Sequence, residues 1–161
     1  MTASWKIIFI SLITINLLGA PVSASAQSKF YALVNTKNDI SLTENEIPIL
    51  LKRLYLKKST EFPGGKKALF FARRKDSWEE IAFRKTILKL KQSQLEDHWL
   101  RMKQTRGLTP PRGIGSTRIL LRQLKSRPEA IGVLSEQDYR KHAKELSDVK
   151  ILLTFMVTND E

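Results

Sequence analysis

Four short apolar runs alternate along the chain with stretches whose apolar residues recur every three or four positions. This alternation restricts the fold more than any other feature. The runs are Phe30–Val34, Ala68–Ala72, Ala130–Leu134 and Val149–Phe155. Strands covered on both faces read as near-continuous apolar runs of this kind. The intervening stretches read as helices, each behind a capping signal. Thr43 and Glu46 precede the stripe Ile47, Leu50, Leu51, Leu54, with Pro48 holding the start near Asn45. Ser77 and Glu80 precede Phe83, Ile87 and Leu90, and Ser93 and Glu96 precede Leu95, Trp99 and Met102. Ser116 precedes Thr117, Leu120, Leu121 and Leu124, and Ser135 with Asp138 precedes Tyr139, His142, Ala143 and Leu146. Glu61–Gly65 reads as a turn, Gly107 as a left-handed helix cap, Gly107–Gly115 as a loop, and Pro128 as a stop. The order β-α-β-α-α-α-β-α-β predicts one α/β domain: a mostly parallel sheet with helices on both faces.

The N-terminus follows a different pattern. Lys6 is followed by an apolar run from Ile7 to Leu18, then by Gly19 and Pro21, and Ala24-Ser25-Ala26 offers the small side chains a signal peptidase requires. The run is 12 residues long, short of the roughly 20 that a spanning helix needs. We therefore expect a cleaved signal peptide at residues 1–26 and a working domain at residues 27–161, not membrane-spanning after the signal is removed. That domain holds 135 of the 161 residues, enough for one core. The signal contains one lysine and no acids, so the net charge of +12 becomes +11 on its removal.

The sequence has no cysteine and two histidines, so disulfides are excluded and a metal or redox centre is not expected. His98 and His142 fall beside apolar residues at helical spacing and read as partly buried helix-face histidines. Glu79 and Glu80 are adjacent on a helix and point in different directions, so they make no acid–base pair. No nucleotide-binding glycine pattern is present. The expectation is a protein that is not an enzyme and carries no cofactor. Its densest positive segment is Lys52, Arg53, Lys57, Lys58, Lys66, Lys67, Arg73, Arg74 and Lys75. Aromatics are not interleaved there for base stacking, so nucleic acid is not an expected partner.

The segment from Ala68 to Phe83 carries the most chemistry. An apolar strand ends in Arg73-Arg74-Lys75, the chain turns at Asp76-Ser77, and a helix begins. Unpaired amides and the positive end of a helix favour an oxyanion, a serine hydroxyl can donate to it, and arginine can bind it bidentately.

This segment resembles the second domain of the phosphate-binding proteins of ABC importers, within the periplasmic type II solute-binding superfamily. There a strand ends in Arg and is followed by Asp-Gly-Ser-Gly-Thr at a helix start, with an aromatic soon after. Arg73-Arg74-Lys75-Asp76-Ser77 and Phe83 follow that order. Leu54-Tyr55-Leu56-Lys57-Lys58 resembles the family's Ile-Phe-Leu-Gly-Lys, and Val34-Asn35 with Leu42–Leu54 its preceding strand and helix. Arg127–Val133 resembles a Pro-Gly-Ala-Ile-Gly-Tyr segment, and Ser93–Met102, with Trp99, a family helix that carries a Trp. The resemblance covers most of residues 30–155 and implies a single lobe of the type II periplasmic-binding-protein-like fold. It places ligand-binding roles on Arg74, Ser77 and Asp76, with Arg73 as a further contact.

The chain departs from the pattern where the Gly-Ser-Gly-Thr turn is reduced to Ser77, followed by Trp78, Glu79 and Glu80. Two function classes follow. One is a periplasmic solute-binding-like protein that binds inorganic phosphate or another small oxyanion weakly, linked to ABC-type phosphate transport and an ABC permease. The other is a non-enzymatic envelope interaction protein, its ligand site decayed, whose basic surface docks on an acidic envelope protein or an anionic membrane surface.

Overall fold

The structure, a computed structural model, describes residues 27–158 of the chain. The expected signal peptide at residues 1–26 lies outside the described residues, as does the end of the expected domain at 159–161. Strand β1 (Gln27–Asn35) leads through helix α1 (Glu46–Tyr55) to two very short strands, β2 (Leu69–Phe70) and β3 (Ala72–Arg73). Helix α2 (Trp78–Phe83) continues as a π-helical turn over Arg84–Leu88, and α3 (Gln92–Arg106) follows. Then come β4 (Gly113–Ile114), α4 (Thr117–Ser126), β5 (Ala130–Ser135), α5 (Glu136–Lys141) and β6 (Val149–Thr158).

The main sheet has the order β2-β5-β1-β6, and β3 and β4 form a separate pair. The expected mostly parallel sheet is corrected to a mixed one. β1 runs antiparallel to both β5 and β6, while β2–β5 and β3–β4 are parallel. Strands β2, β5 and β6 share one direction, and β1 alone opposes them. The apolar run of β1 reports burial on both faces, which a central antiparallel strand meets as well as a parallel one. Phe30, Ala32 and Val34 enter one core with α1, α2 and α3. Tyr31 and Leu33 enter the other with Leu120, Leu121 and Leu124 of α4. The expected helices on both faces are present.

The run Ala68–Ala72 is not one strand. The Phe71 amide donates to the Ile131 carbonyl and the Ala72 amide to that of Arg112, so the chain changes neighbours there and is led onto β4. The N-cap of helix α3 is Lys91, two residues before the expected cap Ser93, with the Lys91 amide donating to Gln94 Oε1 at 2.8 Å. Gly107 ends that helix at φ 64° in the left-handed region, as its sequence position predicts. Gly132 of β5 permits a close approach of α4: a Cβ there would lie 2.7 Å from Leu120 Cδ1. Beneath α2, Tyr55, Phe70 and Phe83 pack with ring centroids 5.2–5.4 Å apart and fix that helix on the sheet.

Candidate functional site

The strand-to-helix turn forms where the sequence places it. β3 ends at Arg73, and the Ser77 amide donates to the Arg74 carbonyl at 3.0 Å, closing a tight turn. Asp76 takes φ 63°, a left-handed conformation that Asp tolerates better than most residues. Ser77 is the extended N-cap of α2, and its Oγ accepts from the Glu80 amide at 3.3 Å. The reciprocal half of the capping box is absent. The turn already satisfies the Ser77 amide, and Glu80 places Oε1 3.6 Å from Arg84 Nε instead. The first-turn amides of Trp78 and Glu79 have no intrahelical acceptor.

The two arginines part company. Arg73 is buried, with its side chain 6% exposed. Its Nη2 lies 3.6 Å from Glu79 Oε1 and 3.6 Å from Asp138 Oδ2, and donates to Thr117 Oγ1 at 3.3 Å. Thr117 in turn donates to Asp138 at 2.5 Å. This network ties β3 to α2, α4 and α5. Among the described residues, Nε and Nη1 of Arg73 have no hydrogen-bond partner. Arg74 is exposed and, among the described residues, has no ion-pair partner; its Cδ passes 3.8 Å from where a Cβ on Gly115 would sit. Lys75 is exposed and bonds to Glu96 Oε1 at 3.1 Å, which raises its pKa through that hydrogen bond and charge.

Arg73, Arg74, Lys75, Asp76, Ser77 and Gly115 together line a concavity of about 560 Å³. All four sequence-expected site residues therefore share one surface. The glutamates that would oppose an anion do not face it unpaired: Glu79 is buried against Arg73, and Glu80 is turned to Arg84. Burial is the main cause of a raised Glu80 pKa, with Arg84 pulling the other way. Sequence reasoning missed Gly115 and the start of α4, where Ser116 caps the helix by accepting from the Ile119 amide at 3.4 Å. The Gly115-Ser116-Thr117 triplet after a Pro-rich loop is the signal that points there. His98 and His142 are partly buried, as expected. His98 Nε2 lies 3.1 Å from the Leu56 carbonyl oxygen and His142 Nδ1 2.9 Å from Glu145 Oε1. Among the described residues no group of acids and histidines is arranged to hold a metal, and no helix is long and apolar enough to cross a membrane.

No protein-family model matches the chain, and no curated protein is significantly similar to it in sequence. Solved structures do match. An ABC-type phosphate transport receptor from Vibrio cholerae superposes with a TM-score of 0.54 at 17% identity, over 78% of this chain and 46% of that one. PstS from Borrelia burgdorferi gives 0.55 at 13% identity, over 80% and 47%. A putative phosphate ABC transporter substrate-binding protein from Clostridium perfringens, with bound phosphate, gives 0.51 at 13% identity, over 84% and 57%. The likeness shows a shared fold: the described residues form a single α/β lobe of the periplasmic-binding-protein kind. The chain spans about half the length of these structures.

Proposed function

We propose that this protein is exported to the periplasm and holds a small oxyanion, inorganic phosphate first, at the Arg74–Ser77 turn, as a solute-binding-like protein with no catalytic role. The observation that carries this reading is the exposed Arg74 guanidinium, without an ion-pair partner among the described residues, beside a capped helix start on a lobe whose fold is shared with phosphate receptors. Arg74 supplies charge and paired donors, the Ser77 hydroxyl and the first-turn amides supply further donors, and Asp76 sets the turn or accepts from a protonated anion. Arg73 contributes its two spare buried nitrogens. The site opens to solvent on one side, so a few charge-assisted bonds offset by ordering and desolvation leave about 4 kcal/mol, or a Kd on the order of millimolar. Delivery to an ABC permease would give such binding its use.

Calorimetry with phosphate on residues 27–161 tests this. We expect saturable heat at roughly millimolar ligand, lost in Arg74→Ala. No heat and no thermal shift at that concentration count against it.

A second reading, an envelope interaction protein with a decayed site, is favoured by one observation: the Arg73 guanidinium is engaged by Glu79 and Asp138. Its docking surface would be the exposed Arg53, Lys58, Lys66 and Lys67 with the turn, facing an acidic envelope protein or an anionic membrane. Retention on such a partner should fall steeply with salt; no retention at low salt removes this reading.

A further inference from the structure

The main sheet ends on β6, which pairs with β1 alone among the described residues. Alternate residues of such an edge strand turn their N–H and C=O groups away from the sheet. β6 is ten residues long, with one ionised side chain, Lys150, and no proline. Sheets shield an edge of this length with charge, proline or a bulge. Here the two devices present sit together at the start of the strand. Lys150 Nζ donates to the Asn38 carbonyl, and the register against β1 slips at Leu152, between the pairs Ala32–Leu153 and Leu33–Ile151. From Leu153 to Thr158 the register is regular and the sequence, Leu-Thr-Phe-Met-Val-Thr, is uncharged. Phe155 and Val157 are buried in the core, whereas Thr154, Met156 and Thr158 are exposed, Met156 by 52%.

We propose that this edge pairs with β6 of a second copy of the chain, antiparallel, about a two-fold axis normal to the sheet near Phe155. The strand's own charges suit that arrangement. Antiparallel pairing sets each Lys150 toward the far end of the other strand, which holds no cation and whose sequence runs on into Asp160 and Glu161. Parallel pairing sets Lys150 beside Lys150, which is unfavourable. The two-fold also continues both faces of the sheet, with Phe155 and Val157 of the two copies on one face and Thr154 and Met156 on the other. A foreign acidic strand would find a single cation along this ladder, so the edge offers it little charge preference. The opposite edge of the sheet, β2, is two residues long. It is too short to propagate pairing, so assembly closes at a dimer and does not extend as a fibre. One strand ladder lies at the low end of stable interfaces, which places Kd at roughly 1–100 µM. Each copy carries a net charge of +11 once residues 1–26 are removed. Salt screens that repulsion and tightens the dimer, whereas it weakens docking through opposite charges.

Sedimentation velocity on residues 27–161, from about 1 µM to about 1 mM chain, tests the pairing. Monomer should convert to dimer with concentration, and Kd should be lower in about 0.5 M salt than in about 0.05 M. In the unaltered chain, amides of alternate residues within Leu153–Thr158 should exchange more slowly as the dimer forms. Met156→Lys alters an exposed position and sets like charges near each other across the ladder. It should weaken the dimer at least about threefold, as should Met156→Glu, and an equimolar mixture of the two variants should associate better than either alone. A chain that stays monomeric across the range overturns the proposal, as does a dimer that salt dissociates. A dimer that Met156→Lys leaves intact, or one that slows amide exchange elsewhere but not within Leu153–Thr158, overturns it too.

Discussion

Replacing Gly132 by Ala should loosen the seat of α4 on the sheet. The new Cβ would stand 2.7 Å from Leu120 Cδ1, 3.1 Å from Cδ2 and 3.2 Å from Cγ, where carbon contacts normally settle at about 3.5–4.0 Å. Leu120 must therefore retreat by roughly 1 Å, and it is fully buried in the same core as Leu121 and Leu124. Overpacking of this kind costs about 1–3 kcal/mol. The loss of glycine freedom in the unfolded chain returns about 0.4–1 kcal/mol. A net loss of about 1–2 kcal/mol lowers Tm by roughly 3–10 °C for a domain of this size. Because α4 begins at Thr117, which bonds Arg73 and Asp138, phosphate affinity should fall as well. Urea unfolding of Gly132→Ala, Leu120→Ala and the double variant makes a thermodynamic cycle. Leu120→Ala removes the clashing atoms, so the double variant should be about 1–3 kcal/mol more stable than the sum of the singles. Additive losses, or a Gly132→Ala variant as stable as the parent, would refute the packing account.

Three further outcomes are expected. Glu79→Gln removes a carboxylate 3.6 Å from Arg73; calorimetry should show phosphate affinity rising roughly threefold to fivefold, about the 1 kcal/mol expected for one charge removed from a site screened by water, while Tm falls. Burial pushes the Tyr55 hydroxyl from 10.0 up to about 12, so its contribution is intact below pH 10 and is lost as pH rises toward 12. Tyr55→Phe should flatten that alkaline decline in urea midpoints, leaving the share due to Tyr31, whose pKa is also raised chiefly by burial. Burial likewise raises Glu80 above 4.5, so its stability contribution is full below pH 4.5 and is lost as pH climbs through the raised value. Glu80→Gln should therefore gain in Tm relative to the parent between pH 4 and pH 7, and a relative loss over that range would contradict the burial assignment.

Features of the fold set by neighbours in sequence were legible in sequence. The α1 stripe Ile47, Leu50, Leu51, Leu54 is buried as its spacing predicts, and Pro48 fits because it stands in the first turn, where no intrahelical amide bond is lost. The caps at Ser116 and Ser135 also hold. Features set by distant partners were not legible. The direction of β1 depends on β5 and β6, which lie about a hundred residues away, and double burial gives the same apolar run in either direction. The split at Phe71 depends on Ile131 and Arg112, and nothing within the five apolar residues announces it.

The site shows the same division at finer grain. The turn, the cap and the helix behind it were legible because each is local. Which of two adjacent arginines is free was not. Arg73 is held by Thr117 and Asp138, 44 and 65 positions away, and by Glu79 from the next helix. Glu79 reads in sequence as a charge that opposes an anion; in the fold it neutralises a buried guanidinium. Lys75 is shared with Glu96, and Asp76 offsets one further charge. The electrostatic pull left at the turn therefore rests on Arg74, whose stem runs past Gly115. A Cβ at Gly115 would already stand in ordinary contact with that stem, 3.8 Å from Arg74 Cδ, and the two further methyl groups of valine would crowd it without touching any ion pair of the Arg73 network, so Gly115→Val should weaken phosphate binding while leaving the unfolding midpoint nearly unchanged. Equal binding by Gly115→Val and the parent would mean that the anion does not depend on the path Arg74 takes.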